Sequence, residues 1–242
     1  MPIYTGVADA NGDFAIPFTS NYTDGQKITV TSEKSGATKS IELFAPSDTT
    51  GIGAIQFSGN TSDFPNNIGN ISIVLTGIIK SYTFYCHAMG SNIFSKATGL
   101  TLSNGITSVL ELSFAFWGNA KNLNLPNTLT NIGSSAFMGW SNAVALIIPE
   151  GVLSIGSNAF TNWYSCASVL IPSTVSTIES YAFSYMSACN EVKILRITPP
   201  AIKSDTFANL KSTCIFKVPA ESVDAYKAAA NWSAFAARIQ AI

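Results

Sequence analysis

The side chains that could do chemistry in this chain are few and scattered. His87 is the single histidine, and it directly follows Cys86. Any Ser-His-Asp or Cys-His arrangement would have to use this histidine. Adjacent side chains on an extended segment point to opposite faces, so Cys86 and His87 are not expected to converge. The pattern favours a loop or partly buried histidine over a catalytic one.

The carboxylates are equally sparse. Glu111, Glu150, Glu179 and Glu191 occupy different positions of the sequence repeat described below. Glycoside hydrolysis needs two carboxylates that converge within about 5–10 Å, and this spacing predicts no such pair. The sequence has no GxxxxGK[ST] phosphate loop, and Gly51-Ile52-Gly53 does not extend to a dinucleotide fingerprint. We expect a protein that is not an enzyme and that uses no cofactor.

The four cysteines are Cys86, Cys166, Cys189 and Cys214, and no two of them form a CxxC pair, so we expect no metal site. Cys166 and Cys189 are 23 residues apart, which is the length of the sequence repeat described below, so they occupy the same position in consecutive repeats. Stacked strands lie about 4.8 Å apart, which is compatible with a disulfide between them. Free thiols that act as small core hydrophobes are the preferred interpretation.

The composition excludes several classes of partner. The chain is 47% hydrophobic and only 11% charged, with a net charge of −1 and no basic stripe, so nucleic acid is not expected. It has no run of about 18 apolar residues that could span a bilayer. The N-terminus has neither a basic nor an apolar signal region, which predicts a protein made in the cytoplasm without Sec export.

A 23-residue sequence repeat runs through the second half of the chain, and its fold determines where the side chains discussed above lie. It is clearest in Phe114, Phe137, Phe160 and Phe183, which follow one another at this interval. The same step separates three other sets: Pro126, Pro149 and Pro172; Val109, Ile132, Ile155 and Ile178; and Leu123, Leu146, Val169 and Val192. A fixed period in the twenties is typical of a solenoid. The repeat therefore predicts a mostly β solenoid whose broad surface favours binding over chemistry.

Each copy is predicted to contain a short strand before the proline and a second extended Val-x-x-Ile segment after it. Gly133 and Gly156 would then allow a tight turn into a short 3₁₀ or helical Ala-Phe segment. A large apolar residue lies three positions after each phenylalanine: Trp117, Trp140, Trp163 and Met186. We interpret these residues as a ladder in the core. The alternative is an aromatic face for sugar rings.

The remaining residues form units around the repeats. Short alternating segments separated by Asn-Gly and Asp-Gly turns predict a small antiparallel β unit over 1–46. Because so small a unit buries little core, we expect it to pack against the solenoid or another subunit. The other predicted units are a degenerate N-terminal capping repeat with an insertion around 85–95 (52–100), the regular repeats (101–194) and a C-terminal capping unit (195–242).

The C-terminal unit is predicted to contain a helix over 220–230, beginning just after Pro219. Its apolar stripe would consist of Val223, Tyr226 and Ala230, continued by Trp232, Phe235 and Ile239. This stripe could dock a partner helix. Terminal caps are required for the solubility of a solenoid, so covering its open end is the favoured role.

Residues 148–160 read IPEGVLSIGSNAF. This segment resembles the BspA-type bacterial leucine-rich repeat, whose pattern is I-P-x-x-V-x-x-I-G-x-x-A-F, and the resemblance covers roughly residues 70–242. The tryptophans and Met186 depart from it, because the family usually has cysteine at that position. The resemblance implies a leucine-rich-repeat solenoid and adhesion at a bacterial cell surface.

Residues 6–44 are similar to the second half of a bacterial immunoglobulin-like repeat, through the turn at 8–14 and the strand at 24–31. Segments 4–9 and 39–46 are similar to proteins of phage structural regions. These resemblances imply a virion component, such as a tail-fibre or receptor-binding protein. The alternative is a cell-surface adhesin of the BspA type, and a third role is purely structural, stiffening a particle. Fibre proteins are commonly trimers, so we expect a homo-oligomer.

The predicted ligand face consists of residues that alternate with the core in the strand before each proline: Asn122, Asn124, Ile147, Ser168, Leu170, Glu191 and Lys193. Ser, Thr and Asn also recur in the second segment: Thr107, Ser108, Thr130, Asn131, Ser154, Ser176 and Thr177. Neutral polar ladders suit a host surface glycan or protein. Plain solvated strand faces are the alternative interpretation.

Overall fold

The computed structural model describes residues 14–17, 27–34, 37–44, 54–57, 69–74, 76–86 and 93–242. In these ranges the strands are β1 Phe14–Pro17, β2 Lys27–Lys34, β3 Ala37–Phe44, β4 Ala54–Phe57, β5 Gly69–Val74, β6 Gly77–Ile79, β7 Ala97–Leu102, β8 Ile106–Val109, β9 Asn122–Asn124, β10 Asn131–Ile132, β11 Ala145–Ile147, β12 Ser154–Ile155, β13 Ser168–Ile171, β14 Thr177–Ile178, β15 Glu191–Ile194, β16 Ala201–Ile202, β17 Ile215–Val218 and β18 Ile239–Ala241. The helical elements are α1 Val223–Ala228 and 3₁₀ segments at Ile93–Lys96, Ala220–Ser222 and Trp232–Arg238.

One sequence repeat forms one turn of a parallel β solenoid. Strands β5, β7, β9, β11, β13, β15 and β17 lie along one side, which we call side A. Strands β6, β8, β10, β12, β14 and β16 form a continuous sheet on a second side, side B. Leu146 lies opposite Val169 on side A, and Ile132 opposite Ile155 on side B. Equivalent residues of consecutive 23-residue repeats therefore lie side by side in neighbouring strands. This confirms the predicted leucine-rich-repeat solenoid.

The third side, the turn side, is built from turns and not from the 3₁₀ or helical segment expected there. Each turn has i to i−3 hydrogen bonds, such as Ala136 N–H to the Gly133 carbonyl oxygen at 3.3 Å. Residues with positive φ interrupt these turns at two repeat positions: Leu112, Ser135, Asn158 and Tyr181, then Phe116, Gly139, Asn162 and Tyr185. Left-handed residues break a right-handed helix, so the chain turns sharply instead.

Gly133 and Gly156 serve the close approach of neighbouring turns. Neither glycine has a positive φ. A Cβ atom on Gly133 would lie 2.8 Å from the carbonyl carbon of Leu110, and one on Gly156 would lie 2.6 Å from the nitrogen of Ser134. Glycine is therefore required because the backbone of one repeat nearly touches that of the next.

The core contains two aromatic ladders. Phe84, Phe114, Phe137, Phe160, Phe183 and Phe207 stack with centroids 5.1–5.7 Å apart. Trp117, Trp140 and Trp163 form a parallel ladder beside them, and all three, like Met186, are fully buried. The core interpretation of these residues is confirmed, and an aromatic sugar face at this position is wrong.

The N-terminal strands are antiparallel. β2 and β3 pair along their whole length as a hairpin. β4 pairs with β5, and β1 pairs with β4, so β4 and β1 extend the sheet of side A. β1 was expected to form one unit with β2 and β3, whereas its hydrogen bonds join it to the solenoid sheet. Of the insertion expected around 85–95, residues 87–92 lie outside the described residues.

The C-terminal segment closes the end of the solenoid. The Tyr226 hydroxyl donates to the Arg196 carbonyl oxygen at 2.7 Å, and the Trp232 indole donates to the Pro200 carbonyl oxygen at 2.8 Å. β18 adds a last parallel strand beside β17. The helix is shorter than predicted, because α1 ends at Ala228, and Ala230 is exposed and not part of the buried stripe.

In the part of the chain that the structure describes, no helix is long and apolar enough to cross a membrane.

Candidate binding face

The residues predicted to form a ligand face lie on side A. The strands alternate, with Leu123, Leu146, Val169 and Val192 buried between outward-facing neighbours. Asn122, Asn124, Ile147 and Ser168 are exposed, whereas Leu170, Glu191 and Lys193 are half-buried. Adjacent strands bring Ile147 opposite Leu170 and Leu170 opposite Lys193. The face therefore changes from amide, through apolar, to charged side chains along the solenoid.

Side A is interrupted between β9 and β11. Among the described residues, β9 pairs only with β7, and β11 pairs only with β13. A single long hydrogen bond crosses the gap, from Val144 N–H to the Lys121 carbonyl oxygen at 3.4 Å. The equivalent bond from Ala167 N–H to the Val144 carbonyl oxygen measures 2.8 Å. Side B stays paired at the same level, whereas on side A these two strands remain neighbours without a ladder.

A surface cleft of about 340 Å³ lies over these two strands. Its lining comprises Lys121, Asn122, Leu123, Asn124, Leu125, Asn127, Val144, Ala145, Ile147 and Pro149. Ile147 is 63% exposed and Val144 is 52% exposed, which leaves two aliphatic side chains in contact with water. The Asn124 amide donates to the Thr101 hydroxyl at 3.2 Å, and its oxygen can still accept a hydrogen bond.

Three lining residues were not predicted from the sequence: Lys121, Asn127 and Val144. Lys121 and Val144 lie 23 residues apart, at the position just before the strand, so the period alone could have placed them side by side. The cleft itself has no such signal. Both β9 and β11 follow the repeat pattern, and nothing in either segment marks their pairing as absent.

The hydroxyl ladder of side B holds neighbouring repeats together. Thr130 Oγ1 donates to the Thr107 carbonyl oxygen at 3.0 Å, and Ser176 Oγ donates to the Leu153 carbonyl oxygen at 3.2 Å. Ser154 Oγ donates to Asn131 Oδ1 at 3.1 Å. These hydroxyl groups therefore already donate their hydrogen atoms within the solenoid.

The candidate catalytic residues do not form a site in the described part of the chain. His87 lies outside the described residues, and its neighbour Cys86 is buried. Glu150 accepts hydrogen bonds from the backbone N–H and the hydroxyl group of Ser173. Glu179 Oε2 lies 3.7 Å from Lys203 Nζ. No group of three or more His, Cys, Asp or Glu side chains that could hold a metal is found among the described residues.

All four cysteines are free and buried. Cys214, not Cys166, makes the hydrogen bond to Cys189, with an Sγ–Sγ distance of 3.7 Å. Burial raises the pKa of Cys86 and that of Cys166 to about 12. The hydrogen bond with Cys189, together with burial, raises the pKa of Cys214 as well. The Cys86, Cys166 and Cys214 thiols are therefore protonated at neutral pH and behave as core side chains, whereas the hydrogen bond from Cys214 lowers the pKa of Cys189.

Comparison with known proteins agrees with this geometry. The model of the BspA type leucine rich repeat region matches residues 77–214 in six copies. No curated protein matches the chain. The solved pneumococcal vaccine antigen PcpA is 20% identical with a TM-score of 0.51, over 77% of this chain and 44% of that chain. A leucine-rich repeat protein from Eubacterium ventriosum is 19% identical with a TM-score of 0.41, over 58% of this chain and 41% of that chain.

The chain spans less than half the length of either solved chain. At 20% identity, the likeness to PcpA shows a shared fold. The family match covers more than half of the 242 residues and coincides with the repeats from β6 to Cys214. The chain therefore belongs to the family of BspA-type leucine-rich-repeat proteins.

Proposed function

We propose that this chain is a non-enzymatic binding protein that recognises a glycan or protein on a host surface through side A. The observation that carries the proposal is the row of exposed amide and aliphatic side chains on β9 and β11, with the cleft between them. A pocket that combines apolar surface with a few polar groups is a common form of binding site.

A rigid scaffold supports this role. The buried residues of side A and the aromatic ladders belong to one core cluster, so the outward side chains of side A are held in position before a ligand arrives, which reduces the entropy cost of binding. A homo-oligomer would present several copies of the face. Several weak contacts could then give strong attachment to a surface, because the later contacts form within one complex.

Two locations are compatible with the proposed role. A virion component, such as a tail-fibre or receptor-binding protein, is supported by the similarity of the N-terminal segment to phage and immunoglobulin-like sequences. A cell-surface adhesin is the alternative, supported by family membership and by a fold shared with a pneumococcal vaccine antigen. Antibodies raised against the purified protein would label particles in electron micrographs in the first case and intact cells in the second.

The binding role is tested with the purified protein, as a monomer and fused to a multimerising tag, on host cells and on a glycan array. The variant Leu170→Asp places a charge at the centre of side A and should reduce binding. Leu153→Asp, at an exposed position beside side B, is the matched control and should bind like the wild type. Absence of binding by both the monomer and the multimer would contradict the proposed function.

A further inference from the structure

We propose that Cys189 and Cys214 are a modification site, where a peroxide forms a disulfide bond that fastens the C-terminal cap to the regular repeats. Cys189 belongs to the last regular repeat, and Cys214 lies directly before β17 in the C-terminal unit. The bond would form whether or not side A binds a surface, so this site goes beyond the proposed function.

The two sulfur atoms already lie next to each other. Cys214 donates its thiol hydrogen to Cys189 Sγ over 3.7 Å. The residues that directly follow the two cysteines are also hydrogen-bonded, from Ile215 N–H to the Asn190 carbonyl oxygen at 2.9 Å. Neighbouring strands lie about 4.8 Å apart, which is within the Cα separations of disulfides. A bond of about 2.05 Å therefore requires the sulfur atoms to approach by about 1.6–1.7 Å, through rotation of two short side chains.

The other two thiols are directed elsewhere or lie far away. Cys166 is one repeat before Cys189, yet its thiol donates to the Ser168 carbonyl oxygen at 3.2 Å, within its own repeat. Cys86 belongs to the N-terminal end of the solenoid. Oxidation should therefore select Cys214, and not Cys166, as the partner of Cys189.

The surroundings of Cys189 favour its thiolate form. The hydrogen bond from Cys214 lowers the pKa of Cys189, and the Lys211 ammonium group also lowers it, against the opposing effect of burial. The thiolate, and not the thiol, is the nucleophile that attacks an oxidant. The same hydrogen bond, together with burial, raises the pKa of Cys214. Cys189 is therefore the thiol that is oxidised first, and Cys214 is the thiol that reacts with it afterwards.

Both sulfur atoms are buried, but they lie close to the surface. Cys189 and Cys214 are fully buried, whereas Asn190, Ser212 and Thr213 beside them are exposed. The end of a solenoid has a neighbouring unit on one side only, so local opening is expected there. A small peroxide needs less opening than a bulky thiol reagent, so it reaches the pair first.

The reaction takes place in two steps. The Cys189 thiolate attacks the O–O bond of hydrogen peroxide, which gives a sulfenic acid and releases hydroxide, and this hydroxide takes up the proton that Cys189 has lost. The Cys214 sulfur then attacks the Cys189 sulfur and displaces its hydroxyl group, which leaves as water with the Cys214 proton. The two thiols together lose two electrons and two protons, and the peroxide is reduced to two water molecules.

The bond would strengthen the end of the solenoid at which the cap is attached. It would close the loop from Cys189 to Cys214, which joins the last regular repeat to β17. A disulfide across a loop restricts the unfolded chain and so stabilises the folded one. Disulfides persist in oxidising surroundings outside cells, where a surface or virion protein functions.

The test is peptide mapping of the purified full chain, first reduced and desalted, then treated with a small molar excess of hydrogen peroxide. Cleavage after glutamate places Cys166, Cys189 and Cys214 in three different peptides. Mass spectrometry without reduction should find peptide 180–191 joined to peptide 192–221. Thiol counts in denaturant should show four free cysteines before the treatment and two fewer after it.

Serine variants provide matched controls. Cys189→Ser and Cys214→Ser should each keep all their remaining thiols, whereas Cys166→Ser should still form the linked peptide. Oxidation should raise the thermal midpoint of the wild type by about 4–16 °C, reversibly with a reducing agent, and should leave that of Cys189→Ser unchanged. The peptide map needs no variant, so it decides the question even if a serine variant fails to fold.

Three results would overturn the inference: a native wild-type chain that keeps all its thiols in peroxide, a linked peptide that joins Cys189 to Cys166, or sulfinic acid on Cys189 without a link. Host-cell binding tests the proposed function separately. A chain that binds cells but forms no link would retain the proposed function and lose this site. A chain that forms the link but binds no cells would do the reverse.

Discussion

The indole rings of Trp117 and Trp140 lie parallel, 1° apart in orientation and 5.7 Å apart between centroids. The Trp140 indole nitrogen donates to the Phe114 carbonyl oxygen at 2.7 Å, and Trp163 makes the same bond to Phe137. Each tryptophan therefore binds its own repeat to the preceding one through both packing and a buried hydrogen bond. This explains how a large polar-edged ring is tolerated where the family usually has a cysteine.

Replacing Trp140 with smaller residues is expected to destabilise the solenoid, and two variants separate the loss of the hydrogen bond from the loss of packing. Trp140→Phe should lower the free energy of unfolding by about 1–3 kcal/mol, because the buried Phe114 carbonyl loses its donor. Trp140→Ala should lower it by about 3–5 kcal/mol, because it also leaves a cavity. Urea unfolding measures both effects. Tyr164→Phe, at an exposed position, should change little, and a fully stable Trp140→Phe variant would argue against a contribution from the indole bond.

Gly156→Ala should destabilise the chain, because the added methyl group would lie 2.6 Å from the backbone nitrogen of Ser134. Backbone atoms cannot rotate away, so the turns must separate at a cost of about 1–3 kcal/mol or more. Gly118→Ala is the control, since its nearest neighbour is the Ser141 hydroxyl at 3.4 Å. Thermal unfolding should show a lower midpoint for Gly156→Ala and a nearly unchanged one for Gly118→Ala. Equal midpoints would contradict the close approach.

The thiols should be unreactive toward bulky reagents in the folded chain and should make stability depend on pH in the alkaline range. Burial raises the pKa of Cys86 and of Cys166 to about 12. The unfolded chain loses these protons at lower pH than the folded chain, so their contribution is complete below pH 9 and is lost as pH rises toward 12. Ellman's reagent at pH 8 should label the four cysteines only after denaturation. Rapid labelling of the native chain would refute their burial.

Arg238 should be important for the C-terminal cap. Its guanidinium lies 5.4 Å from the Phe216 ring centroid and 5.0 Å from that of Phe235, and it donates to the carbonyl oxygens of Lys211 and Ser212. Arg238→Ala should lower the free energy of unfolding by about 1–3 kcal/mol, through lost hydrogen bonds and cation–π contact. Arg238→Lys keeps the charge but not the planar group. Its free energy of unfolding, measured with denaturant, should therefore lie between those of the wild type and Arg238→Ala. Lys227→Ala should resemble the wild type.

The repeat made much of this fold predictable from the sequence. Val109, Ile132, Ile155 and Ile178 recur at a fixed step because each turn of a solenoid buries the same positions against its neighbours. The outward positions on side A follow from the same step, since side chains alternate along a strand. Predictions that needed local backbone conformation were less successful. The Ala-Phe segment was expected to be 3₁₀ or helical, whereas left-handed residues such as Asn158 make it a turn.

The sequence by itself determined the period, the buried positions, the family and the residues that face outward on side A. Only the tertiary structure decided where side A opens and which cysteine meets Cys189. β9 and β11 have the repeat pattern of paired strands, yet their ladder is open, because pairing depends on how successive turns are spaced in three dimensions. Cys214 reaches Cys189 although it lies 25 residues away and not 23, because the turn between β15 and β17 is longer than the regular repeat, with Val192 opposite Phe216. A periodic sequence specifies which residues are equivalent, but distances between turns are set by the packing of the whole solenoid.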